Sequence, residues 1–240
     1  MAVAKGDPSP LRETMASMEE LNPALLLAGE CDAPAARPFD LAAHYPEEMA
    51  RPEVARVVEL FAGLDRYEVH GKGKPQAEDY RFTYGETPPP VLYRMLRRWG
   101  VGPQDVFYDL GSGCGVAVLT AALLAGKAVG VELVPEAVEF ARRVAGLLEV
   151  PNVEFRQGDL LETDLTEATF VYAACTLFPK PLRAQLEARL RTCRKGTRVL
   201  TATHPIRAKG FLLVARVPMF FCWAEEGEGY SFEFYYHVRQ

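Results

Sequence analysis

The chain lacks any uninterrupted apolar run approaching ~18 residues, so no membrane-spanning helix is expected. Its opening stretch, Met-Ala-Val-Ala-Lys-Gly-Asp-Pro, holds no apolar segment of the kind a signal peptide needs. Cysteine is sparse, with 5 residues at positions 31, 114, 175, 193 and 222 and no Cys-x-x-Cys pair. That odd number and spacing argue against a zinc site and a disulfide framework, predict no metal, and suit a reduced, cytoplasmic setting. Positive charge is also short, with 27 Lys and Arg against 32 Asp and Glu for a net charge of -5. No strongly basic face is advertised, and no duplex nucleic-acid partner is expected. The one compact basic run, His70 to Lys74 just after Arg66, reads as a solvated loop. No Gly-x-x-x-x-Gly-Lys-Ser/Thr segment occurs, which argues against an ATP-hydrolysing phosphate loop.

What is present is an ordinary globular composition, 49% apolar and 25% charged over 240 residues, enough for one good-sized core with an appendage. Residues 1–78 are punctuated by proline, and their apolar stretches are short. Apolar residues at 54, 57, 58, 60 and 61, following Pro52, predict an amphipathic helix over Glu53–Leu64. A second helix is predicted over Leu11–Leu21. The region reads as a helical cap or arm whose first ten residues are disordered.

From residue 79 onward strands and helices alternate. Helices are predicted over Pro89–Trp99, Val116–Ala125, Pro135–Leu148 and Pro181–Arg191. Strands are predicted over Val106–Leu110, Ala128–Glu132, Val153–Gln157, Thr169–Ala173 and Thr197–Thr203. Phe211–Trp223 and Tyr230–Val238, flanking Glu-Glu-Gly-Glu-Gly, read as a terminal antiparallel hairpin. The expected fold is therefore α/β: a Rossmann-like seven-stranded sheet, mostly parallel, ending in an antiparallel hairpin and preceded by an N-terminal helical region. The expected division is 1–78 for the cap and 79–240 for the ligand-binding domain.

The stretch that carries chemistry is Phe107-Tyr-Asp-Leu-Gly-Ser-Gly-Cys-Gly115. A strand runs into a turn with glycines at 111, 113 and 115, then a helix, which lets bare backbone approach a nucleotide-like ligand. Asp109 stands at the carboxyl end of that strand, Glu132 closes the next, and Gly158-Asp159-Leu160 closes the third. Open α/β sheets bind ligands along this edge, and an acid at the position of Glu132 can accept both hydroxyls of a ribose. An acid at 109 would repel a pyrophosphate and suits a ligand with positive charge. S-adenosylmethionine, with its sulfonium and α-amino group, therefore fits better than NAD.

The succession Asp-Leu-Gly-Ser-Gly-Cys-Gly, Gly-Val-Glu at 130–132 and Gly-Asp at 158–159 resembles the motifs of class I S-adenosylmethionine-dependent methyltransferases. Tyr84-Gly-Glu-Thr87 resembles the cofactor-covering loop of the non-SET (disruptor-of-telomeric-silencing) histone lysine methyltransferases, and Cys222-Trp223 with Tyr235-Tyr236-His237 resembles that family's terminal hairpin. The resemblance implies that Tyr84, Glu86 and Thr87 lie against the cofactor and that Asp109 takes its amino group. It further implies backbone at Gly111 and Gly113 on the sulfur side, Glu132 on the ribose, and Asp159 with Leu160 beside the adenine. Where the family carries a Phe-Val-Asn-Asn-Phe-like segment, this chain has Phe170-Val-Tyr-Ala-Ala-Cys-Thr-Leu-Phe178. Tyr172 or Thr176 would then face the methyl group, and Tyr84, Tyr172 and Tyr236 are the candidate walls of the acceptor channel. His204 is either an acceptor-side base or a loop residue. The methyl acceptor stays open between a protein lysine and a small molecule. A non-catalytic cofactor-binding module and an NAD-type oxidoreductase are the competing readings.

Overall fold

A computed structural model describes residues 40–64, 66, 69, 85–219 and 232–240. Five strands are parallel: β1 (Val106–Leu110), β2 (Lys127–Glu132), β3 (Val153–Gln157), β4 (Phe170–Ala173) and β5 (Arg198–Ala202). β6 (Phe211–Met219) and β7 (Phe232–Arg239) complete a seven-stranded sheet of order β3-β2-β1-β4-β5-β7-β6. All pairings among β1 to β5 are parallel, whereas β7 runs antiparallel to both β5 and β6. The expected α/β fold with an antiparallel C-terminal pair is therefore observed. The strand order turns around between β1 and β4, which makes the carboxyl ends of those strands the natural ligand crevice.

Seven described helices accompany the sheet: α1 (Leu41–His44), α2 (Pro46–Met49), α3 (Pro52–Ala62), α4 (Pro89–Arg98), α5 (Val116–Ala122), α6 (Pro135–Leu148) and α7 (Lys180–Leu190). Pro52, Pro89 and Pro135 open their helices, where the missing N–H costs nothing and the fixed φ is already helical. Strand alternation divides the core. Phe107, Phe170, Tyr172, Leu200, Phe234 and Tyr236 pack with helices α3 to α6 on one face. Tyr108, Leu110, Val129, Val131, Val171 and Val199 pack with Leu186 and Leu190 of α7 on the other.

The expected boundary at 78/79 lies outside the described residues. Among the described residues Val54, Val57 and Phe61 of α3 are buried, and Val57 and Phe61 belong to the same core as Phe107, Phe170 and Leu200 of the sheet. The prolines that suggested an appended arm are partly helix-start residues. The predicted helix over Leu11–Leu21, the first ten residues and the basic run 70–74 lie outside the described residues, as does the tip of the terminal hairpin.

Gly115 caps α5 at φ +89°, and a Cβ there would stand 2.8 Å from the Phe155 ring and 2.9 Å from the Ala141 Cβ. Left-handed strain and overpacking add, so Gly115→Ala is expected to cost about 3 kcal/mol. Urea denaturation checks this, and an unmoved midpoint would contradict the packing described.

Candidate functional site

The glycine turn is tied to the end of β2 before any ligand is considered. The N–H groups of Gly111 and Ser112 both donate to the Val131 carbonyl, at 2.9 and 3.0 Å. Glu132 closes β2 with 7% exposure, and its two oxygens are occupied separately. Oε2 accepts from the Gly113 N–H at 2.8 Å and Oε1 from the Val134 N–H at 2.9 Å. This carboxylate thus staples the glycine turn to the entry of α6, and each oxygen keeps a lone pair for a hydroxyl. Burial raises its pKa, opposed by the backbone N–H groups of Val134, Gly113 and Leu133.

Asp109 is different. It is 2% exposed, and its Oδ1 has no hydrogen-bond partner among the described residues. Burial, with the Glu132 charge adding to it, pushes its carboxyl up to about 8. A buried acid with no donor is costly and calls for a partner that arrives from outside. The Ser112 hydroxyl in the same turn is likewise unpartnered. Gly111 is exposed at φ +92°, and a Cβ there would meet only the Phe178 ring, at 3.6 Å. The turn therefore leaves backbone bare beside an acid whose Oδ1 has no partner among the described residues.

Thr87 stands on the same side of the sheet. It is 3% exposed, and its Oγ1 lies 2.6 Å from the Tyr172 hydroxyl. Tyr172 pairs in register with Asp109 across β4 and β1. Burial raises its phenol pKa, and the nearby Asp109 charge adds to that rise. Tyr172 is 1% exposed, stacked with Phe107 and Phe234, so it forms a sealed floor under the site rather than the wall of an open channel. Glu86 is ion-paired with Arg66, whose guanidinium also donates to the Leu64 carbonyl at 3.2 Å.

Asp159 is exposed and its Oδ1 accepts from the Leu161 N–H at 2.8 Å, while the Gly158 N–H donates to the Glu132 carbonyl at 2.9 Å. These bonds bring Asp159 and Leu160 to the same edge as Glu132. Tyr236 is not brought there. Its ring lies flat on Trp99, with centroids 4.4 Å apart, and Trp99 is fastened by its carbonyl to Arg198 at the opposite, amino-terminal edge of β5. Tyr236 is a core residue, placed by the antiparallel register that sets it against Leu200. Tyr84 and Trp223 lie outside the described residues.

Sequence reasoning passed over Leu133 and made little of Phe178. Leu133 follows Glu132 and is 49% exposed, an apolar face where the chain leaves a strand end. The signal was an apolar residue directly after an acid at a strand's carboxyl end. Phe178 has no comparable signal, because only the fold carries its ring to Gly111.

These residues fit a nucleoside carrying an ammonium group: Asp109 for the cation, Glu132 for two ribose hydroxyls, Leu133 for an apolar base. No group of His, Cys, Asp or Glu suited to a metal occurs among the described residues.

Comparison with known proteins agrees. Residues 76–216, more than half the chain, match the family model described as histone methylation protein DOT1. The chain is 34% identical over 136 residues to an H3 lysine-79 specific histone-lysine N-methyltransferase of Caenorhabditis elegans, covering 50% of this chain but only 14% of that protein. It is 36% identical over 131 residues to a protein-lysine N-methyltransferase of Saccharolobus islandicus, covering 52% of this chain and 78% of that protein. Among solved structures, an RNA methyltransferase from Salinibacter ruber in complex with S-adenosyl-L-homocysteine superposes with a TM-score of 0.54 at 33% identity, covering 65% of this chain and 95% of that one. The NAD-type oxidoreductase reading is set aside by these matches. The chain belongs to the DOT1 family of class I S-adenosylmethionine-dependent methyltransferases.

Proposed function

We propose that this protein transfers a methyl group from S-adenosylmethionine to the side-chain amine of a protein lysine. The observation that carries the cofactor half is the buried Asp109 carboxyl beside the glycine turn, whose Oδ1 has no partner among the described residues. The lysine half is supported by the two protein-lysine methyltransferases the chain resembles, and chiefly by the one it covers over 78% of its length.

When bound, the cofactor supplies a methyl group already activated by a sulfonium. The chain's own residues then bind, orient and exclude water. Asp109 fixes the α-ammonium end, Glu132 holds the ribose, and Leu133 with the Asp159–Leu160 turn borders the base. Thr87, held by Tyr172, closes the buried side beneath Asp109. Phe178 covers Gly111 where β1 meets β4. Holding donor and acceptor in line is worth several kcal/mol and demands no dedicated base. The lysine must be neutral to act as a nucleophile, and an apolar wall such as Phe178 favours that form by desolvation.

No described helix is long and apolar enough to cross a membrane. Cys175 and Cys193 are buried free thiols.

The test is to incubate the protein with methyl-labelled cofactor and a cell extract, then separate protein, nucleic-acid and small-molecule fractions. Label is expected in protein, recovered as methyl-lysine after hydrolysis. Label in RNA or in small molecules overturns the lysine reading, and no calorimetric binding of the cofactor overturns the methyltransferase reading itself.

A further inference from the structure

The loops that leave β4 and β5 are joined by a seam that no cofactor contact explains. Cys175 donates from Sγ to the Ala202 carbonyl at 3.2 Å. The hydroxyls of Thr176 and Thr203 lie 2.8 Å apart. Thr203 has φ +67°, while the His204 N–H donates back to the Ala202 carbonyl at 2.8 Å. A two-residue hydrogen bond around a positive φ is the rare, strained hand of γ-turn, and a β-branched residue at its centre is an outlier. Thr203 is held there by its own N–H on the Glu233 carbonyl at 2.8 Å and by Thr201 Oγ1 on the His204 carbonyl at 2.6 Å. Strain of this kind persists only where the surroundings over-determine it.

Arg183, one turn into α7, completes the seam. Its guanidinium donates to the Phe178 carbonyl at 3.0 Å and lies 2.8 Å from His204 Nε2. An arginine always donates, so His204 accepts at Nε2. Arg183 is half-buried, and no carboxylate lies within ion-pairing distance of it among the described residues. It is spent on one carbonyl and one ring nitrogen, each in a different loop, and one of those loops carries the ring that covers Gly111.

We propose that Arg183 is a positioning residue for methyl transfer, clamping the loop after β4 to the strained turn after β5 so that Phe178 and Thr176 stand fixed on the acceptor side of the cofactor turn. The clamp touches neither Asp109 nor Glu132, so it sets acceptor geometry without setting cofactor affinity. This role rests on the methyltransferase reading above.

Arg183→Met keeps the aliphatic stem and removes every donor. It is expected to raise hydrogen exchange of the amides at 176–178 and 203–206 by about 10-fold while β1 and β2 stay protected. Transfer of labelled methyl to the protein fraction of an extract is expected to fall by about 10- to 100-fold in kcat, because small misplacements of reacting groups cost that much. The cofactor dissociation constant should move less than about 2-fold. Arg183→Lys, which keeps one donor, should recover part of kcat. Unchanged exchange overturns the clamp. Loosened loops with unchanged kcat overturn its role in positioning, as does a loss that follows cofactor affinity. A wild-type protein that binds cofactor yet methylates nothing brings down the functional reading, and the exchange measurement then reports on the clamp separately.

Discussion

Asp109→Asn is expected to make the cofactor-free protein more stable at pH 8 while weakening cofactor binding. The two effects have one cause. In the unfolded chain this carboxyl titrates near ~3.9, whereas burial and the Glu132 charge push it up to about 8 in the fold. Between those values the folded state holds a proton that the unfolded state has released. Stability from this group therefore falls as pH rises through that window, and the full cost is present above pH ~8. Asparagine carries no such cost, so the variant should gain on the order of 3 kcal/mol at pH 8, with the gain shrinking toward zero near pH 4. Urea denaturation of both proteins at several pH values reads this difference directly. Binding moves the other way, because a buried carboxylate facing an ammonium is lost, and the cofactor's affinity should drop at least about 100-fold. In the wild type, affinity should rise from pH 6 to 8 as the free carboxyl becomes easier to ionise, with a proton released on binding. Calorimetry in buffers of different ionisation enthalpy detects that proton. A variant less stable than wild type at pH 8, or one that still binds tightly, would show that Asp109 is not the strained acid described.

Much of the fold was legible because its signals are local. β1, α6 and β3 fall where strand alternation and a proline start put them, at Val106–Leu110, Pro135–Leu148 and Val153–Gln157. The acids at 109, 132 and 159 were readable as a set because parallel strands all end at one edge. What failed to show was decided between distant residues. α5 ends at Ala122 rather than Ala125, and the Asn152 side chain donates to the carbonyls of both, at 2.9 and 2.8 Å, from a turn 30 residues on. Tyr236 has the alternation of a core residue, but its distance from the site depends on the register of β7 against β5, which the hairpin's aromatic pattern does not encode. The residue pattern likewise gave no reason to join Arg183 to His204, since only the packing of α7 beside β5 brings them together.

Glu132→Ala is expected to eliminate measurable cofactor binding and to loosen the site even when no cofactor is present. Its carboxylate meets the Gly113 and Val134 N–H groups within 7% exposure, so alanine leaves two buried donors without partners. Each such orphan costs about 1–3 kcal/mol, which water entering the space vacated by the side chain would partly offset, and a net loss of about 2 kcal/mol is expected. Glu132→Gln separates the contributions. It keeps one carbonyl oxygen for the turn, removes the charge and places an N–H against one of the two donors, so it should fall between wild type and alanine in stability. Removing the charge also removes the second cause of the Asp109 shift, and the pH dependence of the remaining carboxyl should move toward lower pH in both variants. The two acids are thus coupled, and Asp109→Asn combined with Glu132→Gln should be less than additive in cofactor affinity. Strict additivity, or calorimetric binding of the cofactor by Glu132→Ala at wild-type strength, would place the ribose elsewhere and leave Glu132 as a staple of the glycine turn alone.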